Sequence, residues 1–156
     1  MTATNALFMG FKAKLIAPAA TALVPTADAL AANGLDDEAL IECTLTANTV
    51  TDVSEVTHTD RGDINTAVVP TPVVMTGTAI TNPASATVRW DANDVTFTSV
   101  TGVVCHQVVI WQNIAAGSND DDLLICKFGV QSNGLPVTPN GGNIVVQWNA
   151  SGIFEW

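Results

Sequence analysis

The chain has 156 residues, of which 47% are hydrophobic and 13% charged, and its formal net charge is −10. One domain of this size buries a full core without staples, and so apolar a composition excludes a disordered acidic tail. Its five cations, Lys12, Lys14, Arg61, Arg89 and Lys127, are scattered, which argues against nucleic acid as a partner because phosphate binding needs clustered cations; the acidity also repels an anionic membrane surface.

Residues 1–34 form a first unit. They are rich in alanine, nearly free of acids and interrupted by Pro18 and Pro25. They read as an extended N-terminal arm with a short helix at 27–33, capped by Thr26 and ended by Gly34. Lys12 and Lys14 before Leu15-Ile16-Ala17, with Ala27-Asp28-Ala29 downstream, imitate a secretory signal. Pro18 and the shortness of the apolar run argue against one, and no run approaches the length that spans a bilayer. A neighbouring subunit is the expected anchor for the arm. Phe8, Phe11 and Leu15 are its candidate interface residues, and Phe154 and Trp156 are those of the other terminus. Apolar side chains at chain ends are costly to leave in water.

Residues 35–156 form the second unit and read as strands divided by turns. Asp36-Asp37-Glu38 is an acidic turn. Ala39–Thr46 alternates weakly, and 47–66 is a long polar excursion. Val68–Ile80 is apolar, but Pro70 and Pro72 confine its start to a sheet edge or a loop. Thr87–Trp90 is a short strand, Asp91–Asp94 a turn, and Val95–Val100 alternates cleanly. Val103–Gln112 is the most apolar run and is expected at the centre of a sheet. Leu123–Val130 and Asn143–Asn149 follow, and Gly152–Trp156 adds a last pairing segment. In the closing strand Ile144, Val146 and Trp148 alternate with Val145, Gln147 and Asn149, the pattern of a half-buried strand. Seven or eight such strands predict an all-β fold, a two-sheet sandwich of jelly-roll or immunoglobulin-like type, with the sparse charges all outside.

Motifs for chemistry are few. Arg61-Gly62-Asp63 spells an integrin-recognition tripeptide, for which a glycine turn with a local ion pair is the plainer account. Ser118-Asn119-Asp120-Asp121-Asp122 lacks the alternating oxygens of a calcium loop and reads as solvated. Cys43, Cys105 and Cys126 match no zinc or redox spacing and read as buried free thiols, as in a protein made in a reducing cytoplasm. His58, Cys105, His106 and Cys126 share residue type but no ligand spacing, and on a strand the neighbours Cys105 and His106 face opposite sides. Asn149-Ala150-Ser151 is a formal glycosylation sequon. Trp90, Trp111 and Trp148 read as core fillers. No nucleophile elbow, acid–histidine pair or phosphate loop is present. The expectation is therefore no enzyme, no catalytic or metal-binding residue and no cofactor.

The region from about Trp90 to Trp156 resembles a family of small structural proteins from tailed bacteriophages and their prophages. The residues that carry the resemblance are Asp91–Phe97, Val108-Val109-Ile110-Trp111, Leu123-Leu124-Ile125, the Gly134–Trp148 stretch with its Leu-Pro-Val-Thr-Pro-Asn-Gly-Gly run, and Gly152-Ile153-Phe154. The resemblance implies a virion component without catalytic residues. Upstream it is loose, at Phe11-Lys12 and Ile41–Thr46 only. Charge then favours one location, because an acidic shell lining packed DNA would be repelled by it. The expectation is a capsid decoration, or cement, protein on the outer capsid surface, made in the host cytoplasm. Its partners would be the major capsid protein and other copies of itself, with no nucleic acid and no membrane. A tail, fibre or adaptor component is the alternative, and a stand-alone binding module the second.

Overall fold

The computed structural model describes residues 6–7, 41–47, 53–54, 57–84, 87–113, 119, 122–129 and 134–155. They form antiparallel β structure with one short 3-10 helix. In chain order the strands are β1 (Ala6–Leu7), β2 (Ile41–Thr46), β3 (Val73–Val74), β4 (Ala79–Ala84), β5 (Thr87–Asp91), β6 (Val95–Phe97), β7 (Gln107–Gln112), β8 (Leu123–Phe128), β9 (Ile144–Val146) and β10 (Phe154–Glu155). The 3-10 helix, Arg61–Ala67, lies between β2 and β3.

Three sheets result. The largest has the order β1-β8-β7-β2-β3, the second β10-β5-β4 and the third β6-β9. Strand β7 is central in the first, as its apolar run predicts, although regular pairing starts at Gln107 rather than Val103. All six of its residues are buried, so both of its faces are covered, and a strand covered on both faces reads as a continuous apolar run. Gln107, Val109 and Trp111 share one face with Thr46, Thr44 and Glu42 of β2. Val108 and Ile110 share the other with Leu45 and Cys43. The pairing of β7 with β8 shifts between Ile110 and Trp111, leaving Ile125 as the extra residue of a bulge.

Val73–Val74 takes the sheet edge that Pro70 and Pro72 predict. Residues Asp91 to Val95 turn the chain from β5 into β6 as expected, and β10 supplies the last pairing segment, on β5. In β6 and β9 the alternation is visible as burial: Val95 and Phe97 are buried while Thr96 is exposed, and Ile144 and Val146 are half-buried while Val145 is exposed. One hydrophobic cluster joins residues of all three sheets, among them Ile41, Leu45, Trp90, Phe97, Ile110, Trp111 and Leu124.

Two differences from the sequence reading concern local structure. The excursion at 47–66 ends in the 3-10 helix, started by a capping box. The Asp63 amide donates to Asp60 Oδ1 at 3.3 Å and the Asp60 amide to Asp63 Oδ2 at 3.5 Å. The excursion also buries Val53 and Ile64. The second difference is the arm. Ala6 and Leu7 pair with Lys127 and Cys126 of the same chain, so this piece of the arm adds a short strand to the five-stranded sheet. The helix expected at 27–33 lies outside the described residues. Among the described residues, no helix is long and apolar enough to cross a membrane.

Candidate functional site

A candidate surface lies between Lys127 and Glu155, a stretch without an acidic or basic side chain, as is also the stretch between Asp63 and Arg89. The first of these contains the loop Gly134–Asn143 and β9. Gly134 and Gly141 take positive φ, 88° and 85°, the turn chemistry their Asn-Gly contexts predict. The loop is tied back to the body: Val137 and Cys105 exchange both backbone hydrogen bonds at 2.9 Å, and Val100 does the same with the Gly141–Gly142 turn. The Trp148 indole N–H donates to the Asn93 carbonyl at 3.1 Å, and its ring lies 5.6 Å from that of Phe128.

Beneath β9 is a cavity of about 720 Å³. Its walls include Ile144, Val146 and Trp148 on one side and Leu45, Val108 and Phe128 of the five-stranded sheet on the other. The outward face of the β6–β9 ribbon carries Thr96, Asn143, Val145 and Gln147, all exposed and uncharged. Such a surface offers hydrogen bonds and apolar contact but no ionisable group, and it can bind another surface.

Of the five candidate interface residues, Phe8, Phe11, Leu15 and Trp156 lie outside the described residues. Phe154 is half-buried, opposite Trp90 in the β5–β10 pairing, with ring centroids 5.1 Å apart. It is thus docked on its own domain. Beside it Arg89 and Glu155 form an ion pair at 2.8 Å.

The integrin tripeptide is differently engaged from the local ion pair expected. Asp63 serves in the capping box, and the Arg61 guanidinium carbon lies 5.2 Å from the centroid of the Trp111 ring. The backbone amides of Arg61 and Gly62 donate to the carbonyls of Asp122 and Asn119, both at 2.9 Å. These bonds fix the helix start against the loop before β8.

Among the described residues two charges are inside, contrary to the expectation that all lie outside. Asp122, expected in a solvated loop, is buried, and so is Lys127. The rest of the acidic run, Ser118, Asp120 and Asp121, lies outside the described residues. Lys127 Nζ donates to the Val53 carbonyl. The Val53 amide donates to Gln107 Oε1 at 3.3 Å, which also accepts from Thr46 Oγ1 at 3.4 Å. This polar cluster fastens the excursion to the sheet. Lys127 stands opposite Val109 in the β7–β8 pairing, which sets it on the face of Val109, and the bulge at Ile125 hides that placement from the period-2 pattern of the sequence.

All three cysteines are buried and free. Cys43 and Cys126 flank Ile110 in register on either side of β7. Two strand spacings separate them by about 10 Å, beyond the reach of a disulfide. Burial pushes all three thiols above the ordinary range, and the neighbouring Cys43 adds to the rise at Cys126. His58 Nδ1 accepts from the Ser54 amide at 3.0 Å in a local turn. Cys105 is buried and His106 half-buried, consistent with opposite faces. Among the described residues no three His, Cys, Asp or Glu side chains converge on a point that would hold a metal ion. Asn149 Oδ1 of the sequon accepts from the Ser151 amide at 2.8 Å.

No protein-family model matches the chain, and no curated protein matches it.

Proposed function

We propose that this chain is a structural protein of a bacteriophage virion, a capsid decoration or cement protein. It binds the outer capsid surface and reinforces contacts between major capsid subunits. The observation that carries the reading is an uncharged, part-exposed surface on an acidic body. A body of net charge −10 presents a long ionisable-free segment, Phe128–Phe154, that contains the part-exposed strand β9 and a pinned loop. The acidic remainder suits a surface facing solvent away from packed DNA, and the uncharged segment suits contact with protein. The sequence resemblance falls on the same region. The role is structural rather than catalytic, without cofactor, nucleic acid or membrane.

The architecture we read for this role is a two-layer β-sandwich. The five-stranded sheet forms one layer, and the β10-β5-β4 and β6-β9 sheets together form the other. The Phe128–Trp148 contact and the shared hydrophobic cluster support it.

The test compares particles with and without this chain. Particles lacking it should lose packaged DNA at lower temperature, and adding back the purified protein should restore the wild-type midpoint, since lattice binding stabilises a shell by mass action and avidity. Identical heat release with and without the protein would reject the cement role.

A further inference from the structure

Among the described residues, strand β9 has one paired edge and one open edge. On one side Val146, Val145 and Ile144 pair with Val95, Thr96 and Phe97 of β6. On the other side, among the described residues, no strand is hydrogen-bonded to it. The Trp148 amide donates to Asp94 Oδ1, on the β6 side, at 3.0 Å. By the two-residue alternation of a strand, the amides of Ile144 and Val146 also face β6, and the N–H and C=O of Val145 point to the open side.

Sheet edges that must stay single are blunted with charge, proline or a bulge. This edge has none of these. Its outward residues are Asn143, Val145 and Gln147, and Val145 is 52% exposed. The flanking chain from Phe128 to Phe154 adds no charge.

We infer that β9 is a pairing edge for a second copy of this chain. The two strands run antiparallel about a two-fold axis, with Val145 opposite its own counterpart. In this register Ile144 meets Val146 on the cavity side and Asn143 meets Gln147 on the outer side. Apolar residues therefore face apolar ones and amides face amides, which is the self-complementarity a two-fold contact requires. The second copy's inward residues extend the apolar wall of the cavity under β9. Charge selects the occupant. Two bodies of net charge −10 repel within a Debye length of about 8–10 Å, so an uncharged edge is where they approach at least cost. A basic partner would instead be recognised by acids, which this edge lacks. The inference deepens the proposed function, since it gives the self-association of that reading a surface.

The test is sedimentation equilibrium of the full chain with Val145→Asp beside it. The wild type should dimerise, and the variant, which sets like charges across the axis, should dissociate at least tenfold more readily with unchanged circular dichroism. A second variant, Val145→Cys, should cross-link to itself through a short bis-maleimide, while Val103→Cys, 51% exposed elsewhere, should not. The native thiols are buried and leave the reagent to the new cysteine. A wild type that stays monomeric, a dimer indifferent to Val145→Asp, or equal cross-linking at both positions would overturn the pairing. Dimers made by a protein absent from particles would reject only the virion role. Particle binding by a protein that never dimerises would reject only the pairing.

Discussion

Arg61 lies across the face of Trp111, its guanidinium carbon 5.2 Å from the ring centroid, and so covers the most central aromatic of the five-stranded sheet. The contact joins the start of the 3-10 helix to β7. Arg61→Ala should cost about 1–2 kcal/mol, the range for a partly desolvated cation–aromatic pair. Arg61→Lys should recover part of it. Trp111→Ala removes the platform and leaves a cavity, at about 3–5 kcal/mol. Urea midpoints of the three variants check the order; an Arg61→Ala midpoint equal to wild type would show that the stacking contributes nothing.

The thiols make stability fall in alkali. Burial raises Cys43 and Cys126 above their ordinary value of 9.0. Below that value both folded and unfolded chains hold the proton, and the contribution is fully present. Above it the unfolded chain releases protons that the folded chain retains, so stability is lost as pH rises, by up to about 1.4 kcal/mol per pH unit for each thiol. Urea midpoints should therefore decline above about pH 9, and the decline should be shallower in the Cys43→Ala, Cys126→Ala double variant. Equal slopes would contradict the assignment.

Lys127 fastens the excursion at Val53 to β8. Lys127→Ala leaves the buried Val53 carbonyl without this donor and should cost about 1–3 kcal/mol. Lys127→Met keeps the length of the stem and loses only the ammonium, so it should be the milder change, because an apolar replacement of similar volume spares the desolvation of a charge. Chemical denaturation of both checks the order, and a larger loss in Met than in Ala would contradict it.

Gly152 turns the chain into β10 at φ 93°, and a Cβ there would sit 2.6 Å from Arg89 Cγ and 3.0 Å from the Trp90 carbonyl oxygen. Gly134 has a similar φ of 88° and open space around it. Gly134→Ala should show only the backbone cost, whereas Gly152→Ala should lose about 1–3 kcal/mol more and change the tryptophan fluorescence as Phe154 leaves Trp90. Matching melting temperatures would show that β10 tolerates the displacement.

Much of the strand pattern is legible in the sequence because many strands are bounded by turn chemistry or proline, whereas β4 carries Pro83 inside it and is not. Pro70 and Pro72 place Val73–Val74 at an edge, and the Ile144, Val146, Trp148 alternation yields the inward face of β9 directly. Tertiary contacts that give a local segment its meaning are less legible. Arg61-Gly62-Asp63 offers no local sign that its arginine will reach a tryptophan fifty residues on. Lys127 and Asp122 look solvent-bound by residue type, yet tertiary packing buries both. The candidate interface of apolar termini is visible in composition alone, and of its members the structure places only Phe154, against Trp90. The uncharged stretch between Lys127 and Glu155 is plain in the sequence, but its role as an exposed edge depends on which side of β9 pairs with β6.

The most direct test of the virion role is the copy number of this chain per purified particle, measured by quantitative mass spectrometry against the major capsid protein. A decoration protein occurs at a fixed, near-stoichiometric ratio to that protein, and this is the predicted result. A ratio corresponding to a handful of copies would move the chain to the tail or a fibre, and its absence from particles would contradict a virion role altogether.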